Sequence, residues 1–187
     1  LENLIFKKEL SPEDTAAVFV EPVQGEGGYI VPPPEFHKEV RKICTDNNVL
    51  LVADEVQTGC FRTGPFLAME NFGVRAEISC LAKAIGGGLP MGAMLADREL
   101  MDWPPGVHSN TFGGNLLSSA AALASLEFLE KENTENHVRE MGAHIRHRLR
   151  ELQENFPCIG DVRGLGLMTG VEIVKPDKSI DPVRRDK

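Results

Sequence analysis

The sequence predicts an α/β fold with a largely parallel sheet, because short apolar runs alternate with helical patterns. Three runs have the length and composition of buried strands: residues 15–21, 48–53 and 78–82. An amphipathic stretch separates the first two, with one apolar stripe made of Phe36, Val40, Ile43 and Cys44. This alternation is typical of βαβ units, in which helices cover both faces of a parallel sheet.

The elements that follow are assigned in chain order. Residues 66–72 predict a short helix, and residues 91–96 predict a further strand whose direction the sequence leaves open. Asn115 is placed to cap a helix over residues 116–131. A second, amphipathic helix follows over 134–156, with one apolar face made of Val138, Met141, Ile145, Leu149 and Leu152. Residues 161–174 alternate around glycines, which indicates a hairpin or a sheet edge.

Composition bounds the class of protein. The 187 residues are 42% hydrophobic and 26% charged, with a net charge of −8. This balance argues against a nucleic-acid surface, which needs a basic patch. No apolar run approaches the roughly 20 residues of a membrane span, and no N-terminal run has the pattern of a secretory leader. The four cysteines are scattered without metal-ligand spacing, so we expect no metal site and a cytoplasmic location.

Three charged side chains lie at the ends of the three predicted strands: Glu21 is the last residue of the first, and Asp54 and Lys83 directly follow the second and third. Ligands of open α/β sheets bind beyond the carboxyl ends of the strands. A lysine and an aspartate ending neighbouring strands suit pyridoxal phosphate (PLP), since the amine forms a Schiff base with its aldehyde and the carboxylate pairs with its ring nitrogen. Apolar neighbours of Lys83 would desolvate it and favour the free amine.

Each of these residues also has an ordinary structural interpretation. A lysine after an apolar run is usually a solvated strand end, and an aspartate there is usually a turn residue or a helix cap. The pair alone therefore leaves a cofactor site and a solvated sheet edge both open. The amino-acid sequence of the surrounding segments decides between the cofactor site and the solvated sheet edge.

Six segments occur in a fixed order along the chain. They are EPVQGEGGYIVPP (21–33), LLVADEVQTG (50–59), RTG (62–64), LAKAIGGGLPMGA (81–93), TFGGN (111–115) and DVRGLGLMTGVE (161–172). In order and spacing they resemble the class III, fold type I aminotransferases, such as the 4-aminobutyrate, ornithine and acetylornithine aminotransferases. The resemblance implies the C-terminal part of a large PLP-binding domain over 1–134. It also implies a linking helix and the start of a small α+β domain over 135–187.

The resemblance also implies roles for single residues. Lys83 would carry the cofactor and move the proton, Asp54 would bind the pyridine nitrogen, Val56 would pack on the ring, and Gln57 would hydrogen-bond the phenolic oxygen. Thr111 would reach the cofactor phosphate of the neighbouring subunit in a homodimer. Glu21 would support the site, and Glu26 would be a gate that pairs with an arginine. Arg163 is not assigned that task.

The sequence departs from the family pattern in two ways. Cys60 and Phe61 replace the usual Phe-Gly, and Pro65 replaces a common lysine. Cys60 is interpreted as a packing residue. The family's own-subunit phosphate loop and its ring-stacking aromatic residue are not found, and the chain begins and ends within apparent elements. We therefore expect a fragment that is inactive alone.

Three hypotheses about function follow. The first is a transaminase that moves an amino group from an amino acid or an ω-amine, such as 4-aminobutyrate, to a 2-oxo acid. The second is an amino-acid racemase or epimerase on the same scaffold, because the motifs serve the cofactor and not the fate of the substrate. A non-catalytic relative is disfavoured because Lys83, Asp54 and Gln57 are intact.

Overall fold

A four-stranded mixed sheet forms the centre of the fold and confirms the α/β prediction. The computed structural model describes residues 1–181. Its strands are β1 (Ala17–Val20), β2 (Leu50–Asp54), β3 (Ile78–Leu81) and β4 (Ala93–Ala96), in the order β1-β2-β3-β4. The first three run parallel, and β4 pairs antiparallel with β3, which settles the direction that the sequence left open.

Strand β2 is central, and its apolar sequence fits burial on both faces. Leu51, Val52 and Ala53 are at most 2% exposed. Val52 pairs with Phe19 of β1 and with Ile78 of β3. The pairing places the carboxyl ends of three parallel strands at one edge of the sheet.

Helix α1 (Phe36–Asp46) covers one face of the sheet. A core cluster lies between them, made of Val40, Cys44, Val49, Leu51, Ala53, Met69, Phe72 and Val74. Arg41 of α1 donates to Glu77 at 2.6 Å, and a Glu77 oxygen accepts the Leu51 N–H at 2.8 Å. This side chain therefore links the helix to the backbone of the central strand. The predicted short helix is a 3₁₀ helix, Ala68–Phe72.

Two long helices follow the sheet, α2 (Leu116–Lys131) and α3 (Thr134–Asn155). Asn115 caps α2 as predicted, since its side-chain oxygen accepts the N–H groups of Leu117 and Ser118 at 3.1 Å each. The predicted apolar stripe of α3 is largely uncovered. Val138 is buried, whereas Met141, Ile145 and Leu152 are each more than a third exposed.

The last described elements are the strands of an antiparallel hairpin, β5 (Ile159–Leu165) and β6 (Met168–Ile173). The sequence predicted a hairpin or a sheet edge here, and the structure has the hairpin. Helix α3 approaches its turn closely, because a Cβ at Gly142 would lie 1.9 Å from the Gly166 carbonyl oxygen. Arg146 donates to the same oxygen at 2.6 Å. A division at residues 134/135 fits this packing of α3 on the hairpin and stays a prediction.

Near the start of the chain, Glu2–Phe6 forms a π-helical segment. Across residues 1–181 no helix combines the length and the apolar character that a membrane crossing requires. The same residues contain no group of three or more His, Cys, Asp or Glu side chains arranged for a metal ion. All four cysteines lie in the described part as free thiols.

Candidate active site

The carboxyl edge of the sheet brings together the three charged residues that the sequence placed there. Glu21 directly follows β1, Asp54 is the last residue of β2, and Lys83 stands two residues after β3. All three line one cavity of about 110 Å³. Its complete lining is Glu21, Glu26, Asp54, Val56, Gln57, Thr58 and Lys83. Six of the seven residues named from the sequence therefore lie around a single depression.

A second cavity of about 290 Å³ adjoins the first and shares three lining residues with it, Val56, Gln57 and Lys83. The rest of its lining is Tyr29, Arg62, Ala84, Leu167 and Met168. The smaller cavity is lined by three carboxylates and the larger one by none. Lys83 stands between an acidic side and a side that carries Arg62.

Lys83 has a backbone conformation that non-glycine residues rarely adopt. Its φ is +50°, and it begins a 3₁₀ helix, Lys83–Gly86. Such left-handed residues cluster at functional sites, where surrounding structure stabilises them. Gly87 ends this turn against α2, because a Cβ there would lie 2.3 Å from Ser125 Oγ. The packing of α2 against Gly87 thus fixes the 3₁₀ turn in which Lys83 lies.

The expected desolvation of Lys83 is not found. Lys83 is exposed, although Leu81 before it and Ile85 after it are buried. The apolar run ends in a turn that points this side chain out of the core, so the neighbouring residues do not remove it from water.

Asp54 is half-buried and oriented by its own loop. Its Oδ1 accepts the Val56 N–H at 3.1 Å, and the Glu55 N–H continues the sheet by donating to the Cys80 carbonyl at 2.9 Å. Within residues 1–181 the other carboxylate oxygen of Asp54 has no hydrogen-bond partner. That oxygen is free to accept from a ligand in the cavity.

Glu55 is a buried carboxylate that the sequence analysis did not identify. It is 1% exposed, and it accepts hydrogen bonds from the Thr58 hydroxyl (2.5 Å) and from the N–H groups of Ala68 and Met69 (3.0 Å each). Burial raises the pKa of Glu55, against the effect of these three donors. The carboxylate links the loop of Val56 and Gln57 to the 3₁₀ helix Ala68–Phe72. A glutamate beside a strand-ending aspartate carries no sequence pattern that distinguishes it from a solvated residue.

The loop over residues 24–30 closes on itself beside the cavities. Glu21 Oε2 accepts the Gly25 N–H at 2.5 Å, and the Gly25 carbonyl accepts the N–H groups of Gly28 and Tyr29 at 3.0 and 3.2 Å. Glu21 therefore shapes the loop that carries Glu26. Both glutamates are exposed.

Thr111 does not line either cavity. It lies exposed in the turn of residues 111–114. Cys60, by contrast, is buried with Leu81 and Ile85, as the packing interpretation expected. Burial, followed by the charge of Glu55, raises the pKa of its thiol. Cys60 and Phe61 both have positive φ, 55° and 67°, at the position where the family pattern has Phe-Gly.

The chain is similar to known proteins in both sequence and structure. Residues 1–185 match the sequence profile of the family described as aminotransferase class-III. The acetylornithine aminotransferase of Methanothermobacter thermautotrophicus is 47% identical over 162 residues, which are 86% of this chain and 42% of that protein. The alanine/serine racemase of Pyrococcus horikoshii is 43% identical over 182 residues, which are 97% of this chain and 38% of that protein.

A solved amine transaminase from an uncultivated Pseudomonas species, in its PLP-bound form, superposes with a TM-score of 0.86 at 35% identity. The match covers 93% of this chain and 42% of that one. This chain thus spans about two fifths of the length of the relatives that it matches.

Proposed function

This chain belongs to the class III aminotransferase family. From that premise we propose that it contributes the part of a PLP-dependent transaminase site that contains Lys83. The reaction would move an amino group from an amino acid or a 4-aminobutyrate-like ω-amine to a 2-oxo acid. One observation carries the proposal: Lys83 and Asp54, from different strands, line the same cavity at the carboxyl edge of the sheet.

The residues present fit the cofactor. Within residues 1–181 the side chains of Lys83 and Gln57 have no hydrogen-bond partner. Asp54 uses only Oδ1, so its other carboxylate oxygen can accept a hydrogen bond from a ligand. A lysine side chain, a carboxylate and an amide are the groups needed for the aldehyde, the ring nitrogen and the phenolic oxygen of PLP. Val56 supplies an apolar surface for the ring between them.

Bound PLP supplies an electron sink for negative charge that develops on the substrate carbon. Lys83 would attach the cofactor and, once released, would move the proton from that substrate carbon to the cofactor carbon that had carried the aldehyde. Asp54, oriented by the Val56 N–H, would keep the ring nitrogen protonated. Gln57 would orient the ring through its amide.

Glu21 and Glu26 would act on the substrate side of the site. Both line the cavity with Lys83, and Glu21 holds the loop of Glu26 through Gly25. A carboxylate at Glu26 can neutralise an arginine when the distal end of the substrate is not a carboxylate. Glu26 is therefore proposed as the gate residue.

We also propose a homodimer in which Thr111 reaches the phosphate in the neighbouring subunit. In support, Thr111 is exposed and lies away from its own cavities, next to apolar residues that are themselves exposed: Phe112, Leu116 and Leu117. A cytoplasmic location is proposed because all four cysteines are free thiols.

An amino-acid racemase is the second candidate, favoured by the 43% identity of the Pyrococcus horikoshii racemase. The same Lys83 and Asp54 would serve it. Product analysis separates the two, since a transaminase needs a 2-oxo acid to turn over and a racemase does not.

The test uses the purified polypeptide in its natural length. It is incubated with PLP and then reduced with borohydride. We expect a phosphopyridoxyl group on Lys83, located by peptide mass spectrometry. Lys83→Ala should lose it, whereas Lys175→Ala, at an exposed lysine near the hairpin, should keep it. Labelling elsewhere, or none at Lys83, would reject the proposal.

A further inference from the structure

Arg163 of the hairpin reaches across the chain to the loop beside the cavities. Its Nε donates to the Gly28 carbonyl at 2.9 Å, although the two residues are 135 positions apart. Arg163 is half-buried, and its Nη1 pairs with Asp161 at 2.8 Å and lies 3.8 Å from Glu172. The guanidinium is thus fixed by carboxylates on its own hairpin and directed at the loop.

The loop and the hairpin are also in direct steric contact. A Cβ at Gly170, which pairs with Arg163 in the hairpin, would lie 3.2 Å from the Gly28 oxygen and 3.2 Å from Tyr29 Cβ. Gly28 itself has a φ of +112°, and a Cβ there would lie 3.2 Å from Arg163 Nη2. Because Gly170 has no side chain, the backbone of the loop approaches the hairpin closely here.

The loop presents two side chains to the site. Glu26 lines the smaller cavity, and Tyr29 lines the larger one, which the hairpin turn closes with Leu167 and Met168. A change in the position of Gly28 therefore moves a carboxylate on one side of Lys83 and a phenol on the other. The guanidinium is already paired, so its contribution to the site is to fix the loop.

We propose that Arg163 is a positioning residue that holds the loop of residues 25–29 on the β5–β6 hairpin and so sets where Glu26 and Tyr29 meet the substrate. The proposal deepens the transaminase function and rests on it for the identity of the substrate. Asp161 supports the arginine by neutralising its charge beside the backbone.

The chain offers a unique probe of this loop, because Tyr29 is its only tyrosine. Biosynthetic 3-fluorotyrosine places one ¹⁹F resonance in these residues, assigned by its loss in Tyr29→Phe, and that resonance reports the position and mobility of the loop. Hydrogen exchange of the Gly28 and Tyr29 amides, both bonded to the Gly25 carbonyl, reports its opening. Neither readout requires turnover.

In Arg163→Ala we expect the ¹⁹F line to shift or broaden and the two amides to exchange at least about 10-fold faster, the factor for losing one charge-assisted hydrogen bond. Arg163→Lys keeps the positive charge and should give an intermediate effect. It replaces the alanine variant in this test where the alanine variant does not fold. The matched control is Arg75→Ala, whose guanidinium pairs with Asp97 away from the site. It should leave both readouts unchanged.

In the active enzyme, KM for the amino donor should rise about 10-fold in Arg163→Ala while phosphopyridoxyl labelling of Lys83 stays complete. Unchanged fluorine and exchange signals in Arg163→Ala would overturn the proposal, as would equal effects in Arg75→Ala. If wild-type Lys83 is not labelled, the transaminase proposal fails, whereas the fluorine and exchange results still decide the role of Arg163.

Discussion

Gly25 and Gln57 approach so closely that a Cβ on Gly25 would lie 1.8 Å from the Gln57 side-chain oxygen. Gly25 is buried in the loop after β1, and Gln57 lines both cavities beside Lys83. Only a residue without a side chain leaves the amide in its present position. The contact therefore couples the loop of Glu26 to the loop of Asp54.

Gly25→Ala should displace Gln57 without unfolding the protein. The atom in conflict is the far end of a flexible side chain, and Gly25 is not among the residues with positive φ, so the free energy of unfolding should change by less than about 1 kcal/mol. Loss of the proposed hydrogen bond from Gln57 to the phenolic oxygen of the cofactor should weaken PLP binding about 10-fold, measured by absorbance titration. Gln57→Ala should match it, and the double variant should be no weaker than Gln57→Ala. Additive losses would contradict this coupling.

Three of the site residues named from sequence depended on one rule of sheet geometry. Parallel strands end at the same edge, so residues that end β1, β2 and β3 had to meet, and Glu21, Asp54 and Lys83 line one cavity. The roles of Gln57 and Glu26 came only from the family resemblance. Thr111, which came from the same source, lies away from the cavity that this chain forms.

Periodicity and motif spacing do not predict contacts between segments that are distant in the sequence. The bond from Arg163 to the Gly28 carbonyl joins two segments whose relative position depends on the packing of α3 and the hairpin. The exposure of Lys83 was likewise set by a left-handed turn that apolar neighbours do not indicate. For α3, periodicity predicted an apolar stripe that is largely uncovered, and it did not indicate the close contact of Gly142 with the hairpin turn.

Glu55→Ala should destabilise the fold by about 3 kcal/mol, because it leaves the Thr58 hydroxyl and the N–H groups of Ala68 and Met69 buried without an acceptor. Urea unfolding followed by circular dichroism measures the change. Glu70→Ala is the matched control, since that carboxylate accepts its hydrogen bond from the Leu67 N–H at an exposed position. It should cost no more than about 1 kcal/mol. Equal losses in both variants would show that burial of Glu55 is not the cause.

Stability should depend on pH through His37. This ring is fully buried, and its Nε2 lies 2.9 Å from the Pro22 carbonyl, to which it donates. Burial lowers the pKa of His37 below its ordinary value of 6.5, although the hydrogen bond acts in the opposite direction. The neutral ring therefore contributes stability that is fully present above pH 6.5 and is lost as the pH falls through the folded-state pKa.

We expect the free energy of unfolding to decrease as the pH is lowered below 6.5, measured by urea titrations at a series of pH values. His37→Gln keeps an uncharged donor near Pro22 and should remove this part of the dependence. His144→Gln, at an exposed position of α3, should preserve it. A His37→Gln curve parallel to that of the wild type would assign the pH dependence to other groups.

Gly142→Ala sets helix propensity against packing. In the middle of an exposed helix the change would stabilise the protein by about 1 kcal/mol. At Gly142, however, the new Cβ would lie 1.9 Å from the Gly166 oxygen and 2.4 Å from its carbonyl carbon, both backbone atoms that cannot rotate away. Helix α3 would have to move from the hairpin turn and weaken the bond from Arg146 to Gly166.

The contact should dominate, so we expect Gly142→Ala to lower the free energy of unfolding by about 1–3 kcal/mol, the usual cost of overpacking. Glu140→Ala, at an exposed position of the same helix, should stay within about 0.5 kcal/mol of the wild type. Because Leu167 and Met168 of the same hairpin line the larger cavity, the displaced hairpin should also raise KM for the amino donor. A stabilised Gly142→Ala variant with unchanged KM would mean that α3 and the hairpin turn are not in close contact.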